Sequence, residues 1–339
     1  MHSSGTLNQH GQQEVGPAPD ADTAVVAKSA ALATFATGAT PRALGPFFTL
    51  ASRAPWLTAA LGPFITPFVP LFSPALRHNT RQNARRIFGR NLTLSQQRAF
   101  TSRVIGNFYR FITDMAAASR RFADPALKSD LIGDVYGERQ YRDLRASVHD
   151  SGHRRGVVLV TAHIGSFEAG LLALCRVEPA VHVVFKRDAS ARFERMRAAL
   201  RRSLGVHEAA IDDGLSTWIN LREALLRGEV VVLQADRAIQ GQQSAAVPFL
   251  SGTLRMPTGP VRLARLTNSP IVPVFAIRRA DGKHDIHLGQ PIEPGTCVAG
   301  EADAAFIAIA KAIEAIVAQH PDQWLMLDAA FEEDRSGQP

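Results

Sequence analysis

From residue 150 onward, short β-branched apolar runs alternate with longer stretches in which apolar residues recur at helical spacing. The runs 157–161, 181–186, 229–234 and 271–277 read as buried strands, with a weaker one at 284–288, and 167–176, 190–204, 215–227 and 258–267 read as the helices between them. Alternation on this scale predicts an α/β fold, a largely parallel mixed sheet flanked by helices. Phe306, Ile309, Ala310, Ile313, Ile316 and Val317 then mark a late amphipathic helix that Pro321 stops. No internal repeat interrupts this series.

Ahead of the alternating region the pattern differs. Residues 1–22 are rich in Gly, Gln, Ser and Asp without apolar periodicity, and 1–42 as a whole is expected to be a disordered or weakly ordered tail, unlike a signal peptide in composition. From Ala43 to Leu76, Phe47, Phe48, Trp56, Phe64, Phe68 and Phe72 crowd between prolines, with Arg53 among them. A spanning helix needs about 20 consecutive apolar residues, so an interfacial or re-entrant segment fits better, with a short kinked span as the alternative. Arg77, Arg81 and Arg85 follow at helical spacing beside Arg86 and Arg90, a basic face suited to anionic headgroups. Thr93-Leu94-Ser95-Gln96 has the form of a capping box, opening a helix that packs Phe100, Val104, Phe108, Phe111, Ile112 and Met115 on one face. The expected organisation is therefore a helical membrane-associating region at 43–120, an α/β domain at 121–331 and a tail at 332–339.

Composition narrows the chemistry. A net charge of +7, with 38 Lys and Arg against 31 Asp and Glu, favours acidic lipid surfaces, phosphates or an acidic carrier protein. Nucleic acid is not expected as a partner, because no zinc finger, helix-turn-helix or basic-aromatic pattern occurs. The two cysteines, Cys175 and Cys297, are far apart, and the eleven histidines form no cluster at ligand spacing, so neither a disulfide framework nor a protein-bound metal is expected. Gly-x-Ser-x-Gly, the serine-hydrolase elbow, does not occur.

One strand end carries candidate chemistry. Val157 to Thr161 runs into Ala162-His163-Ile164-Gly165-Ser166-Phe167-Glu168, which puts His163 on the loop and Glu168 in the first turn of the next helix. A carboxylate bonded to one imidazole nitrogen leaves the other free to take a proton from a hydroxyl. The same spacing also suits a structural pair that only satisfies buried polar groups. Asp236 and Arg237 leave a second β-branched strand at its carboxyl end, the usual place for a site in an open α/β sheet.

The ordered series His163-x-Gly165-x-Phe167-Glu168, Gln234-Ala235-Asp236-Arg237, Val247 to Gly252, Pro257-Thr258-Gly259-Pro260, Ile271 to Phe275 and Pro321-Asp322-Gln323-Trp324 resembles the lauroyl/myristoyl acyltransferases of lipid A biosynthesis, within the lysophospholipid acyltransferase group. The resemblance implies a membrane-associated O-acyltransferase at the cytoplasmic face of a bacterial inner membrane. It would move a fatty acyl chain from an acyl carrier protein, or from coenzyme A, to a hydroxyl of a glycolipid resembling a lipid A precursor. It makes His163 the base and Glu168 its orienter, with no bound cofactor. Gly165 would offer its backbone N–H to the oxyanion or simply shape the turn. Lys186, Arg187, Asp236 and Arg237 would bind substrate, and Arg197, Arg201 and Arg202 would either receive the carrier or form an exposed basic helix. The chain departs from the family pattern at Ser166-Phe167, where Asn-Trp is common, and at Leu325 to Ala330, where basic residues are common. These departures leave other glycolipids and lysophospholipids as alternative acceptors, and a lipid-presenting scaffold and a fatty-acid-releasing hydrolase stand as separate alternatives.

Overall fold

The computed structural model describes residues 50, 53–123, 131–150, 155–187, 191–239, 241–295 and 303–335. The whole of the expected tail at 1–42, together with Cys297 and residues 336–339, lies outside them. In chain order the elements are α1 (Pro55–Ile65), α2 (Val69–Phe72), α3 (Pro74–Phe88), α4 (Leu94–Ala123), β1 (Ile132–Tyr136), α5 (Glu138–Asp150), β2 (Val157–Thr161), α6 (Phe167–Leu174), β3 (Val181–Phe185), α7 (Ala191–Leu204), β4 (His207–Ala210), α8 (Leu215–Leu226), β5 (Val230–Gln234), β6 (Ser244–Phe249), β7 (Gly252–Pro257), α9 (Gly259–Thr267), β8 (Ile271–Arg278), β9 (His284–Leu288), α10 (Ala304–Gln319) and α11 (Glu332–Arg335).

Seven strands form one sheet in the order β1-β9-β8-β2-β5-β3-β4, and β6 and β7 make a separate hairpin. Pairing is parallel throughout the large sheet except between β8 and β9. The expected mixed, mostly parallel α/β sheet is thus present. Its central strands are sealed on both faces, which is why β2 and β5 read as unbroken apolar runs rather than alternating ones. On one face Val158, Val160, Leu233 and Phe275 pack with α10 and the hairpin. On the other, Leu159, Val232 and Val272 meet Leu171 of α6 and Tyr141 of α5.

Four strands were not anticipated. β4 is His-Glu-Ala-Ala, without a β-branched residue, and β1 contains Gly133 and Asp134. Both are edge strands, where neighbour pairing supplies what propensity lacks. The β6–β7 hairpin carries Pro248 and Gly252 on either side of its turn. It closes with Phe249 opposite Gly252 and Leu250 at φ 50°.

At the N-terminal side the capping box forms as expected: Gln96 N–H donates to Thr93 Oγ1 at 3.3 Å and Thr93 N–H to Gln96 Oε1 at 3.1 Å. The basic stripe of α3 divides. Arg81, Arg85 and Arg90 are exposed, but Arg86 forms a two-pronged pair with Asp334, and Arg77 donates to the carbonyls of Pro70 and Leu71. The opposite face of α3 buries Leu76, Asn79, Thr80, Asn83 and Ala84. Asn83 donates to the carbonyls of Met326 and Asp328 at 3.0 and 2.9 Å and accepts from Ala330 N–H at 3.0 Å, while Asn79 donates to Leu327 O. Residues 332–335, within the expected terminal tail, form α11, and Glu332 pairs with Arg255 of β7.

Asn83 satisfies three backbone groups of a segment that has no strand partner for them. Asn83→Ala is therefore expected to lower unfolding free energy by about 2–3 kcal/mol, measured by urea denaturation, with Asn83→Asp retaining part of it.

Candidate active site

The site grows out of strand register. Thr161 at the end of β2 lies opposite Gln234 at the end of β5, and Ala235 N–H continues the ladder to Thr161 O at 2.8 Å. His163 and Asp236, each two residues further along, therefore meet beyond the carboxyl ends of two adjacent parallel strands. The imidazole Nδ1 lies 2.7 Å from Asp236 Oδ1, and His163 backbone N–H donates to Oδ2 at 3.0 Å. Trp324 Nε1–H donates to the same Oδ2 at 2.9 Å.

Burial makes these bonds matter. Asp236 is 0 % exposed, whereas the His163 side chain is 30 % exposed, so the carboxylate is sealed inside and the ring opens outward. Burial alone would raise the Asp236 pKa. It is overcome by the charge of His163, by the bonds from the His163 ring and the Trp324 indole, and by the His163 amide, which together bring it down to about 2. An ionised carboxylate only accepts, so a neutral imidazole must carry its proton on Nδ1 and present a lone pair at Nε2.

The carboxylate bonded to Nδ1 is not the one expected. Glu168 is buried in the first turn of α6, but Nδ1 is held by Asp236, 73 residues away. Asp236, expected to bind substrate, is instead the internal partner of the histidine. Its signal in the sequence was its position, at the end of a buried strand equivalent to that before His163.

Of the two roles expected for Gly165, the geometry matches the shaping of the turn. Its φ is +61°, and a Cβ there would stand 1.8 Å from the carbonyl oxygen of Ala276, so only glycine fits the close approach of this turn to β8. Its N–H donates to Gln323 O at 3.0 Å, and Ser166 N–H to Ala276 O at 3.0 Å. The Gly165 amide is therefore engaged in holding the turn and is not an open oxyanion donor. Ser166 caps α6, its Oγ accepting from Ala169 N–H at 3.2 Å.

Lys186 and Arg187 lie at the carboxyl end of β3, on the same sheet edge and one strand beyond β5. Both are exposed. Arg187 makes paired bonds of 2.7 and 2.9 Å to Asp213, which raise its pKa. Arg237 stands 3.6 Å from Asp328. Arg201 is not a docking residue. It is buried between Glu194 and Glu208, with its guanidinium 3.8 Å above the Phe185 ring. Arg202 is exposed and Arg197 partly so.

A strand-end histidine held by a buried carboxylate at the edge of a parallel α/β sheet can act as a base in group transfer or hydrolysis. The chain belongs to the bacterial lipid A biosynthesis acyltransferase family, whose model matches residues 71–333. Among similar proteins, a phosphatidylinositol mannoside acyltransferase of Mycolicibacterium smegmatis is 28% identical over 193 residues, covering 56% of this chain and 60% of the relative. A lipid A biosynthesis lauroyltransferase of Escherichia coli is 25% identical over 222 residues, covering 61% and 64%. A phosphatidylinositol mannoside acyltransferase of Mycobacterium tuberculosis is 27% identical over 184 residues, covering 53% and 56%. The matches thus span roughly three-fifths of these relatives' length.

Because the folded-state pKa of Asp236 is depressed, its ionised form stabilises the fold above the unfolded carboxylate pKa, and this contribution is lost as pH falls through about 2. Wild type is expected to exceed Asp236→Asn in unfolding free energy by on the order of 2 kcal/mol near neutrality, a margin that shrinks steadily below pH about 4. Denaturant melts of both proteins across that range check the sign.

Proposed function

We propose that the protein is a membrane-associated O-acyltransferase that moves a fatty acyl chain from an acyl carrier protein thioester to a hydroxyl of a glycolipid resembling a lipid A precursor. The observation that carries this reading is the solvent-facing imidazole of His163 held at Nδ1 by a sealed carboxylate, Asp236. Nε2 takes the proton of the acceptor hydroxyl as its oxygen attacks the thioester carbonyl. The tetrahedral intermediate then collapses, the carbon–sulfur bond breaks, and the departing thiolate recovers the proton from His163. Acceptors named for the relatives, in lipid A biosynthesis and phosphatidylinositol mannoside acylation, support a glycolipid hydroxyl. The basic surface supports an acidic carrier as donor, with coenzyme A as the competing thioester.

Association with the cytoplasmic face of the inner membrane rests on the N-terminal helices. Trp56 and Phe64 are 73 and 74 % exposed, and Phe68, Leu71 and Phe72 are also exposed, in the same part of the chain as Arg81, Arg85 and Arg90. No helix among the described residues is long and apolar enough to cross a bilayer. Aromatics that insert shallowly, with arginines at headgroup level, suit a protein lying on the surface.

His163→Ala is expected to cut transfer from lauroyl-acyl carrier protein to a lipid A precursor by at least about 10²-fold while leaving the fold intact. Near-wild-type turnover would remove His163 as base, and equal transfer from lauroyl-coenzyme A would remove the carrier preference. Replacing Trp56, Phe64, Phe68, Leu71 and Phe72 by serine should abolish sedimentation with phosphatidylglycerol vesicles without changing the circular dichroism. Undiminished sedimentation would place the membrane contact elsewhere.

A further inference from the structure

The part of the site that the proton-transfer chemistry does not use is the second oxygen of Asp236. Oδ1 faces the imidazole, and Oδ2 takes two N–H donors, the His163 amide and the Trp324 indole. We infer that Trp324 is a positioning residue for the His163–Asp236 pair: its indole N–H fixes the rotation of the carboxylate, so that Oδ1 stays aimed at Nδ1. This rests on His163 acting as the base.

Trp324 is held in a way that suits the task. It is 2 % exposed, with its ring 5.6 Å from that of Phe249 and 6.2 Å, edge-on, from that of Phe331. The backbone around it runs along the histidine turn like a short strand. Gly165 N–H donates to Gln323 O at 3.0 Å, Leu325 N–H to His163 O at 2.7 Å, and Ile164 bridges Trp324. The side chain of Gln323 locks the register, accepting from Arg278 N–H and donating to Arg278 O, both at 2.9 Å, at the end of β8. A segment that needed only to fill the core would not require the one nitrogen of its indole to meet a carboxylate oxygen there. Without that donor Oδ2 keeps a single amide bond, and burial, the largest influence on this carboxyl, is opposed by less.

The test uses the full chain with Trp324→Phe, which keeps an aromatic ring and deletes the N–H. A second variant carries benzothienylalanine at 324, where sulfur replaces the nitrogen in the same bicyclic shape, and serves if the first fails to fold. Two readouts apply. One is the downfield proton resonance of the His163 Nδ1–H, assigned by its loss in His163→Gln and read without substrate. The other is transfer from lauroyl-acyl carrier protein to a lipid A precursor, in wild-type and Asp236→Asn backgrounds.

The expected result is an upfield move of the resonance and a loss of about tenfold in kcat, the scale of one bond to a charged group, with KM for the donor changed less than about twofold. In the Asp236→Asn background the same change should cost almost nothing further, since Trp324 acts through that carboxylate. An unmoved resonance, or an equal loss in both backgrounds, overturns the inference. If the wild-type protein transfers no acyl group from this donor, the functional reading fails, while the resonance still decides the role of Trp324.

Discussion

A carboxylate with no exposure to water sits at the end of the central strands, and the local structure is arranged so that it can remain charged there. An ion in an apolar interior is tolerated only when donors replace the water it gave up. Asp236 receives three N–H contacts from two other places in the chain, the amide and ring of His163 and the indole of Trp324. Satisfying it fixes the register between β2 and β5, the shape of the turn through Gly165 and the path of the chain after α10.

The last of these organises much of the molecule. After α10 the chain crosses the carboxyl edge of the sheet, donates a backbone bond to the histidine turn, and continues along α3, where Asn79 and Asn83 satisfy its peptide groups. It then forms α11, joined to α3 through Arg86 and to β7 through Arg255. Helices that precede the α/β region in sequence are thereby coupled to the site through residues that follow it. A base facing solvent can then stay in one orientation even though its loop lies at the edge of the sheet.

The excess of basic residues is less available to partners than a net charge of +7 suggests. Arg86, Arg187 and Arg201 are each consumed by carboxylates, and Arg201 lies within the core beside Phe185. Arg81, Arg85 and Arg90 remain exposed, close in sequence to the exposed apolar side chains of α1 and α2.

The central strands and the helices between them were legible in the sequence because their periodicities are local. The β-branched runs at 157–161 and 230–234 and the apolar spacing of 304–319 follow from which faces must be buried. The His163 turn and the Thr93 cap were legible for the same reason, since each is decided by a few consecutive residues. The edge strands β1 and β4 were not, because their pairing is supplied by neighbours rather than by their own composition. Glu168 was the nearest acid in sequence and Asp236 the nearest in space, a difference set by the parallel register of two strands separated by more than sixty residues. The bond from Trp324 and the engagement of Gly165 by Gln323 were decided by the tertiary structure alone. Hydrogen bonds between distant segments depend on how the chain returns upon itself, and no local pattern of side chains records that path.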